Sequence, residues 1–225
     1  MMKKRFLTVL VTGLFLLTMT GLAQAALTTI GTATYNGSNY NLIYDADGPL
    51  GPVTWLDYSH SPQPWNDQII WAATLGDKLT VTLNPGYTTS ISWLVDWRLP
   101  SAGANPQSGY NQTTSEMGDL FYNELGLSAY PPYTTTEQLN ATSFDNLIAF
   151  CYWSGAEDAG NPGDAWHFDL DDGVQGGHYE GGSCYGLAVR SGQVSAVPIP
   201  GAIWLLGSGL AGVVALGKRR KGNRV

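Results

Sequence analysis

Basic side chains are almost missing from the middle of this 225-residue chain. Of its 11 lysines and arginines, only Lys78, Arg98 and Arg190 lie between residues 26 and 196. Lys3, Lys4 and Arg5 open the chain, and Lys218, Arg219, Arg220, Lys221 and Arg224 close it. All 18 acids fall in the middle stretch, whose net charge is therefore −15. So acidic a segment repels phosphate backbones and anionic headgroups, which argues against nucleic-acid binding and leaves cations, neutral sugars and basic partners. Histidine is scarce as well. His60, His167 and His178 are scattered, with no His-x-x-x-His spacing to suggest zinc. No Gly-x-Ser-x-Gly elbow supports a hydrolase triad. No repeat at 20–50-residue spacing suggests a solenoid.

Long apolar runs are present at both ends. Behind the basic Lys3-Lys4-Arg5 comes the apolar stretch Phe6 to Leu22, then Ala23-Gln24-Ala25. This is the pattern of a signal peptide, residues 1–25, cut between Ala25 and Ala26 by signal peptidase. At the other end, Val197 to Leu216 gives 20 residues without a charge, followed by the basic cluster. As a helix at ~1.5 Å per residue, this run matches roughly one hydrocarbon thickness. The basic cluster predicts a cytoplasmic end for one C-terminal transmembrane helix. Between the two runs lie 171 residues, 26–196, enough for one domain with a sizeable core.

Val197-Pro198-Ile199-Pro200-Gly201-Ala202, the apolar span and the Lys/Arg end occur in that order at residues 197–225. Together they resemble the PEP-CTERM-type sorting signals of Gram-negative bacteria, in the Val-Pro-x-Pro-Gly-Ala variant. The resemblance implies recognition and cleavage by an exosortase, and a host that makes extracellular polysaccharide. The plainer alternative is an uncut single-span anchor. On either reading the expected location is the envelope, first membrane-anchored, and after sorting the cell surface or extracellular matrix.

Within the domain, short β-rich runs predict strands at Ile30–Tyr35, Tyr40–Tyr44, Val53–Leu56, Leu79–Leu83, Ile91–Leu94, Leu147–Trp153, Ala165–Leu170 and Tyr185–Arg190. Asn36-Gly37 predicts a hairpin, and Asp171-Asp172-Gly173 a turn. A helix is expected near Trp65–Leu75, ended by Gly76, and another over Ser115–Leu125, opened by a Thr113-x-x-Glu116 capping box and closed by Gly126. The fold class is thus α+β: one mixed domain of short strands with two helices. Cys151 and Cys184, alone in an oxidising compartment, are expected to pair.

Several segments add a second resemblance. Trp97-Arg98-Leu99-Pro100, Glu116 to Leu120, Tyr152-Trp153-Ser154-Gly155-Ala156-Glu157, Ala165-Trp166-His167-Phe168 and Leu187-Ala188-Val189-Arg190 follow one another in that order, preceded by Val53 to Asp57. Residues Asp45 to Gly192 are in this respect similar to the Lcl C-terminal-like domains of bacterial surface proteins. That similarity implies a C-type-lectin-like fold, shared with formylglycine-generating enzymes, but no particular activity. The chain has fewer cysteines than many such domains.

Three groups of residues are candidates for function. Glu157, Asp158, Asp164, Asp169, Asp171 and Asp172 form an acid-rich stretch, and clustered carboxylates suit Ca²⁺. Asp169, Asp171 and Asp172 are the closest set, although their spacing misses the EF-hand pattern and Asp172-Gly173 also reads as a plain turn. Asp45, Asp47 and Asp57 are weaker candidates. Trp65, between Pro64 and Asn66, and the tyrosines of Tyr130-Pro131-Pro132-Tyr133 sit in loop-like sequence and are candidates to stack on sugars; the other tryptophans are expected in the core. Arg98 and Arg190 are expected to pair with carboxylates such as Glu116 or Glu157. The expected function is a non-enzymatic surface or matrix protein that binds or organises polysaccharide or another protein. The rival expectation is a secreted enzyme using Cys151 and Cys184, and a third is a purely structural matrix protein.

Overall fold

The turn at Asn36-Gly37 sets the first register. Both residues adopt positive φ, 49° and 82°, as a two-residue hairpin loop demands. They join β1 (Thr28–Tyr35) to β2 (Ser38–Asp45), with Tyr35 opposite Ser38. These strands belong to a computed structural model of the chain, which describes residues 27–87, 91–93 and 96–194. The cleavage position Ala25/Ala26, the sorting motif Val197–Ala202 and the C-terminal apolar span all lie outside the described residues. Among the described residues no helix is long and apolar enough to cross a membrane.

The remaining strands are β3 (Val53–Gln63), β4 (Thr80–Leu83), β5 (Ile91–Trp93), β6 (Cys151–Glu157), β7 (Asp164–Asp169), β8 (Gln175–Tyr179) and β9 (Cys184–Val194). They form one nine-stranded sheet in the order β4-β1-β2-β3-β9-β6-β7-β8, with β5 also paired to β9. The last strand is therefore central. It runs antiparallel to β3 on one flank. On the other it meets β6 in parallel at Tyr152↔Tyr185, Arg98 through a bridge at Val189, and β5.

Alternation along the strands sends successive side chains to opposite faces. Leu42, Leu56, Trp153 and Ala188 pack on one face with Trp65, Trp71, Ala72 and Leu75. Ile43, Trp55, Tyr152, Leu187 and Val189 pack on the other with Met117, Leu120, Phe121, Leu139 and Phe144. The first face is covered by α1 (Trp65–Ala73) and α2 (Leu75–Lys78). The second is covered by α3 (Glu116–Asp119), a π-helical turn at Leu120–Glu124, and α4 (Thr136–Leu139). The α+β class is thus present, but among the described residues as a large sheet with four short helices rather than two.

Several expected boundaries are corrected. Gly76 does not stop a helix; it lies inside α2. β3 continues seven residues beyond Leu56, through register shifts near His60 that accommodate Pro62. Thr113 is not a cap. Ser115 Oγ accepts from Gly118 N at 3.1 Å instead, because Glu116 is turned toward Arg98. A capping box does form at Thr135 and Gln138. Gly126 takes φ 63° just after the π-helical turn, as expected of a helix stop. β8 and α4 were not expected from the sequence at all.

Candidate functional site

The segments Trp97 to Pro100, Tyr152 to Ser154 and Leu187 to Arg190 meet at the centre of the sheet. Arg98 is aligned with β9 by two backbone bonds to Val189. Its guanidinium makes two parallel 2.7 Å bonds to the Glu116 carboxylate and donates to Ser191 Oγ at 2.9 Å. Glu116 Oε2 also accepts from Ser101 N. Trp97 and Leu99 are buried beside it, and Pro100 O accepts from Gly155 N at 2.8 Å. Arg190 meets Asp96, at 3.6 Å, rather than Glu157. Trp153 Nε1 donates to Gln63 O, and Tyr152 OH lies 2.6 Å from Ser59 Oγ and accepts from Ile148 N. Burial pushes the Tyr152 phenol upward, well beyond its usual range. Ser154, next along β6, is buried as well, its carbonyl accepting from Trp65 Nε1 at 2.8 Å. Trp65 is therefore a core residue and not part of a stacking surface.

Nor is Asp57 free for a cation. Its carboxylate accepts from the backbone N–H groups of Asp145 and Asn146, each at 3.0 Å, and from Asn146 Nδ2 at 3.1 Å. Burial nevertheless raises its pKa, outweighing those bonds.

One open feature among the described residues is a cleft of about 470 Å³ at the β6–β7–β8 end of the sheet, lined by Tyr133, Phe150, Cys151, His167, His178 and the carboxylates Asp169, Asp171 and Asp172. Register explains the convergence. Cys151 lies opposite Asp169, Trp153 opposite His167, and Ala165 opposite His178. Period-two alternation then puts Cys151, His167, Asp169 and His178 on one face. The His167 and His178 rings are 5.6 Å apart, and the second lies 5.4 Å from the Trp153 ring. Sequence spacing hid this pair, because a diagonal across two strands leaves no periodic trace. His60 is elsewhere, stacked on Trp71 at 4.5 Å.

The Asp171-Asp172-Gly173 turn forms as expected. Asp172 Oδ1 accepts from Val174 N, and Gly173 has φ 84°. A Cβ on Gly173 would lie 2.5 Å from Tyr122 OH, whose hydroxyl donates to Gly173 O, so the turn admits only glycine here. Two backbone bonds pin the tyrosine loop to this turn: Tyr130 N to Asp172 O and Thr134 N to Asp171 O. The Tyr130 and Tyr133 rings are therefore held beside the carboxylates, 4.3 Å from one another, and both are exposed, as is Phe150 across the cleft. Facing acids crowd this wall. Ligand atoms of Asp169, Asp171 and Asp172 all lie within 4.8 Å of one another. Burial, then mutual repulsion with Asp169, raises the pKa of Asp171, and burial raises that of Asp172.

The expected disulfide is present. Cys151 and Cys184 are bonded with Cα atoms 5.1 Å apart, tying β6 to β9 at the inner edge of the cleft. Compared with family models, with curated proteins and with solved structures, the chain matches none.

Proposed function

We propose that this chain is an exported, non-catalytic surface or matrix module whose cleft binds polysaccharide. The carrying observation is the pairing of exposed aromatic rings, Tyr133 and Phe150, with the acceptor-only carboxylates Asp169, Asp171 and Asp172 in one cleft. Aromatic faces stack on the C–H faces of sugars, and carboxylates accept bonds from hydroxyls. The size falls in the range of small-ligand clefts, roughly 300–1,000 Å³. The −15 charge of residues 26–196 favours neutral or amino-sugar polymers over anionic ones.

The delivery half of the proposal rests on sequence. A signal peptide ending at Ala25, then Val197–Ala202 with its apolar span and basic end, supports exosortase sorting after a membrane-anchored stage. The Lcl-like motifs support a C-type-lectin-like fold, and their residues, Trp97 to Pro100, Tyr152 to Ser154 and Arg190, act as scaffold.

Affinity electrophoresis of the full chain through gels containing neutral, amino-sugar and anionic polysaccharides tests the binding reading. Retardation by a neutral or amino-sugar polymer, lost in Tyr133→Ala with an unchanged melting temperature, is the expected result. Equal mobility in every gel defeats it. The rival, a secreted enzyme using the cysteine pair, is favoured by one observation: Cys151 lines the same cleft. Titration of native protein with a thiol reagent after mild reductant separates the two. Rapid, reversible opening of the bond favours the enzyme, and a bond that resists until the protein unfolds favours the binding module.

A further inference from the structure

Exposed rings do not stop at the cleft wall. Among the described residues seven large apolar or aromatic side chains are exposed, and four of them, Tyr110, Tyr130, Tyr133 and Phe150, gather in or beside the cleft. Tyr133 and Phe150 line it, whereas Tyr130 and Tyr110 lie outside its lining. The two exposed aliphatic residues are elsewhere, Leu50 between β2 and β3 and Ile70 on α1. Tyr110 comes from a loop of its own. Gly109 exchanges two backbone bonds with Gln175, at 2.8 and 3.0 Å, which dock that loop on the outer edge of β8. Gln175, 2% exposed, secures it further, its Nε2 donating to Ala102 O and Gln107 O. Gln112 Nε2 then donates to Tyr110 O at 3.1 Å. Partial desolvation, and then the Asp172 carboxylate and the Tyr133 and Tyr130 phenols, raise the pKa of Tyr110, so these three groups share its surroundings. Backbone bonds thus hold two ring-bearing loops against one turn and the strand that leaves it. Rings fixed in this way lose little further freedom when a ligand settles on them.

We propose that Tyr110 and Tyr130, with Asp172 beside them, form a second sugar subsite outside the cleft, so that the module reads a run of consecutive units within a polysaccharide chain and not an isolated sugar. The inference rests on the polysaccharide reading of the cleft and adds the length of chain that is recognised. A chain seated on Tyr133 passes directly onto Tyr130, whose ring centroid is 4.3 Å away. Aromatic faces take the C–H faces of successive sugars, and Asp172 accepts from their hydroxyls. The patch offers rings and carboxylates but neither of the exposed aliphatic side chains, which suits a sugar chain better than the apolar anchor of a protein partner.

The test uses the full chain purified in detergent and run through gels containing soluble chitosan or a neutral β-glucan. Each polymer's own oligosaccharides, from the monosaccharide to the hexasaccharide, are added as competitors. Competition should strengthen with length. In Tyr110→Ala, and independently in Tyr130→Ala, affinity for the polymer should fall about three- to tenfold at an unchanged melting temperature, and the gain with length should shrink. Tyr110→Phe, which keeps the ring and loses the hydroxyl, should bind as the unaltered chain does. Retardation that is lost in Tyr133→Ala but unchanged in both Tyr110→Ala and Tyr130→Ala overturns the second subsite and leaves the cleft reading intact. A monosaccharide that competes as well as the hexasaccharide does the same. Mobility unaffected by either polymer removes the cleft reading and this inference with it.

Discussion

Glu116 and Glu124 lie eight residues apart on one continuous helical segment, and the fold treats them in opposite ways. Glu116, 1% exposed, is met by the Arg98 guanidinium and a backbone N–H. Glu124, at the end of the π-helical turn, faces other acids: Asp45 at the end of β2, Asp47 in the turn after it, and Asp119 on α3. Burial first, and then these three neighbours, raise its pKa to about 7. With three cations for 18 acids between residues 26 and 196, compensation by charge is possible at few sites. Elsewhere the chain uses backbone N–H donors, as at Asp57, or lets the carboxylate take up a proton.

Removing the cation should have the largest effect. Arg98→Ala leaves the Glu116 carboxylate buried with only the Ser101 N–H, and should cost about 3–5 kcal/mol of unfolding free energy in urea titration. A loss below ~1 kcal/mol would place this pair with ordinary surface ion pairs and dissolve the contrast. Asp57→Ala tests the backbone alternative. It strands the N–H groups of Asp145 and Asn146 and should cost about 2–3 kcal/mol. A value equal to that of Arg98→Ala would show that N–H donors serve as well as a guanidinium.

Glu124 sharpens the other side. Its folded pKa is raised above the ordinary 4.5, so the folded state holds the proton more tightly than the unfolded chain does. The associated stability is present below about pH 4.5 and is lost as pH rises through about 7. Asp45 and Asp119, both raised chiefly by burial, act in the same direction at lower pH. Melting temperature should therefore fall between pH 5 and pH 7.5, and Glu124→Gln should flatten that slope. A slope that persists unchanged in Glu124→Gln would assign it to other groups.

The legible parts of this molecule were the local ones. Asn36-Gly37 specifies its own hairpin because both residues tolerate positive φ. The two cysteines had only one another to pair with. Tyr130 and Tyr133 read as exposed because prolines keep their segment out of regular structure. Non-local facts were lost. Trp65 sits in the same kind of Pro-rich context but begins a helix that carries it into the core. β8 contains Gly176 and Gly177, which have no β propensity, yet a Cβ there would lie 3.3 Å from His167 Cε1 or 2.9 Å from Asp158 Oδ2. Those glycines make room for neighbouring side chains, a reason visible only once the sheet exists. For the same reason Arg98 and Glu116 could be matched by charge, whereas His167, His178 and Asp169 could not be matched by spacing.

The central position of β9 has a consequence for how the chain reaches its native state. Until residues 184–194 are available, β1–β4 and β6–β8 are two separate sheets with unpaired inner edges. Contacts such as Trp55↔Val189 span most of the domain's length, and pairings of such long range form slowly. Completion of the sheet therefore waits for its C-terminal strand. Until then the facing edges of β3 and β6 stay open to mispairing.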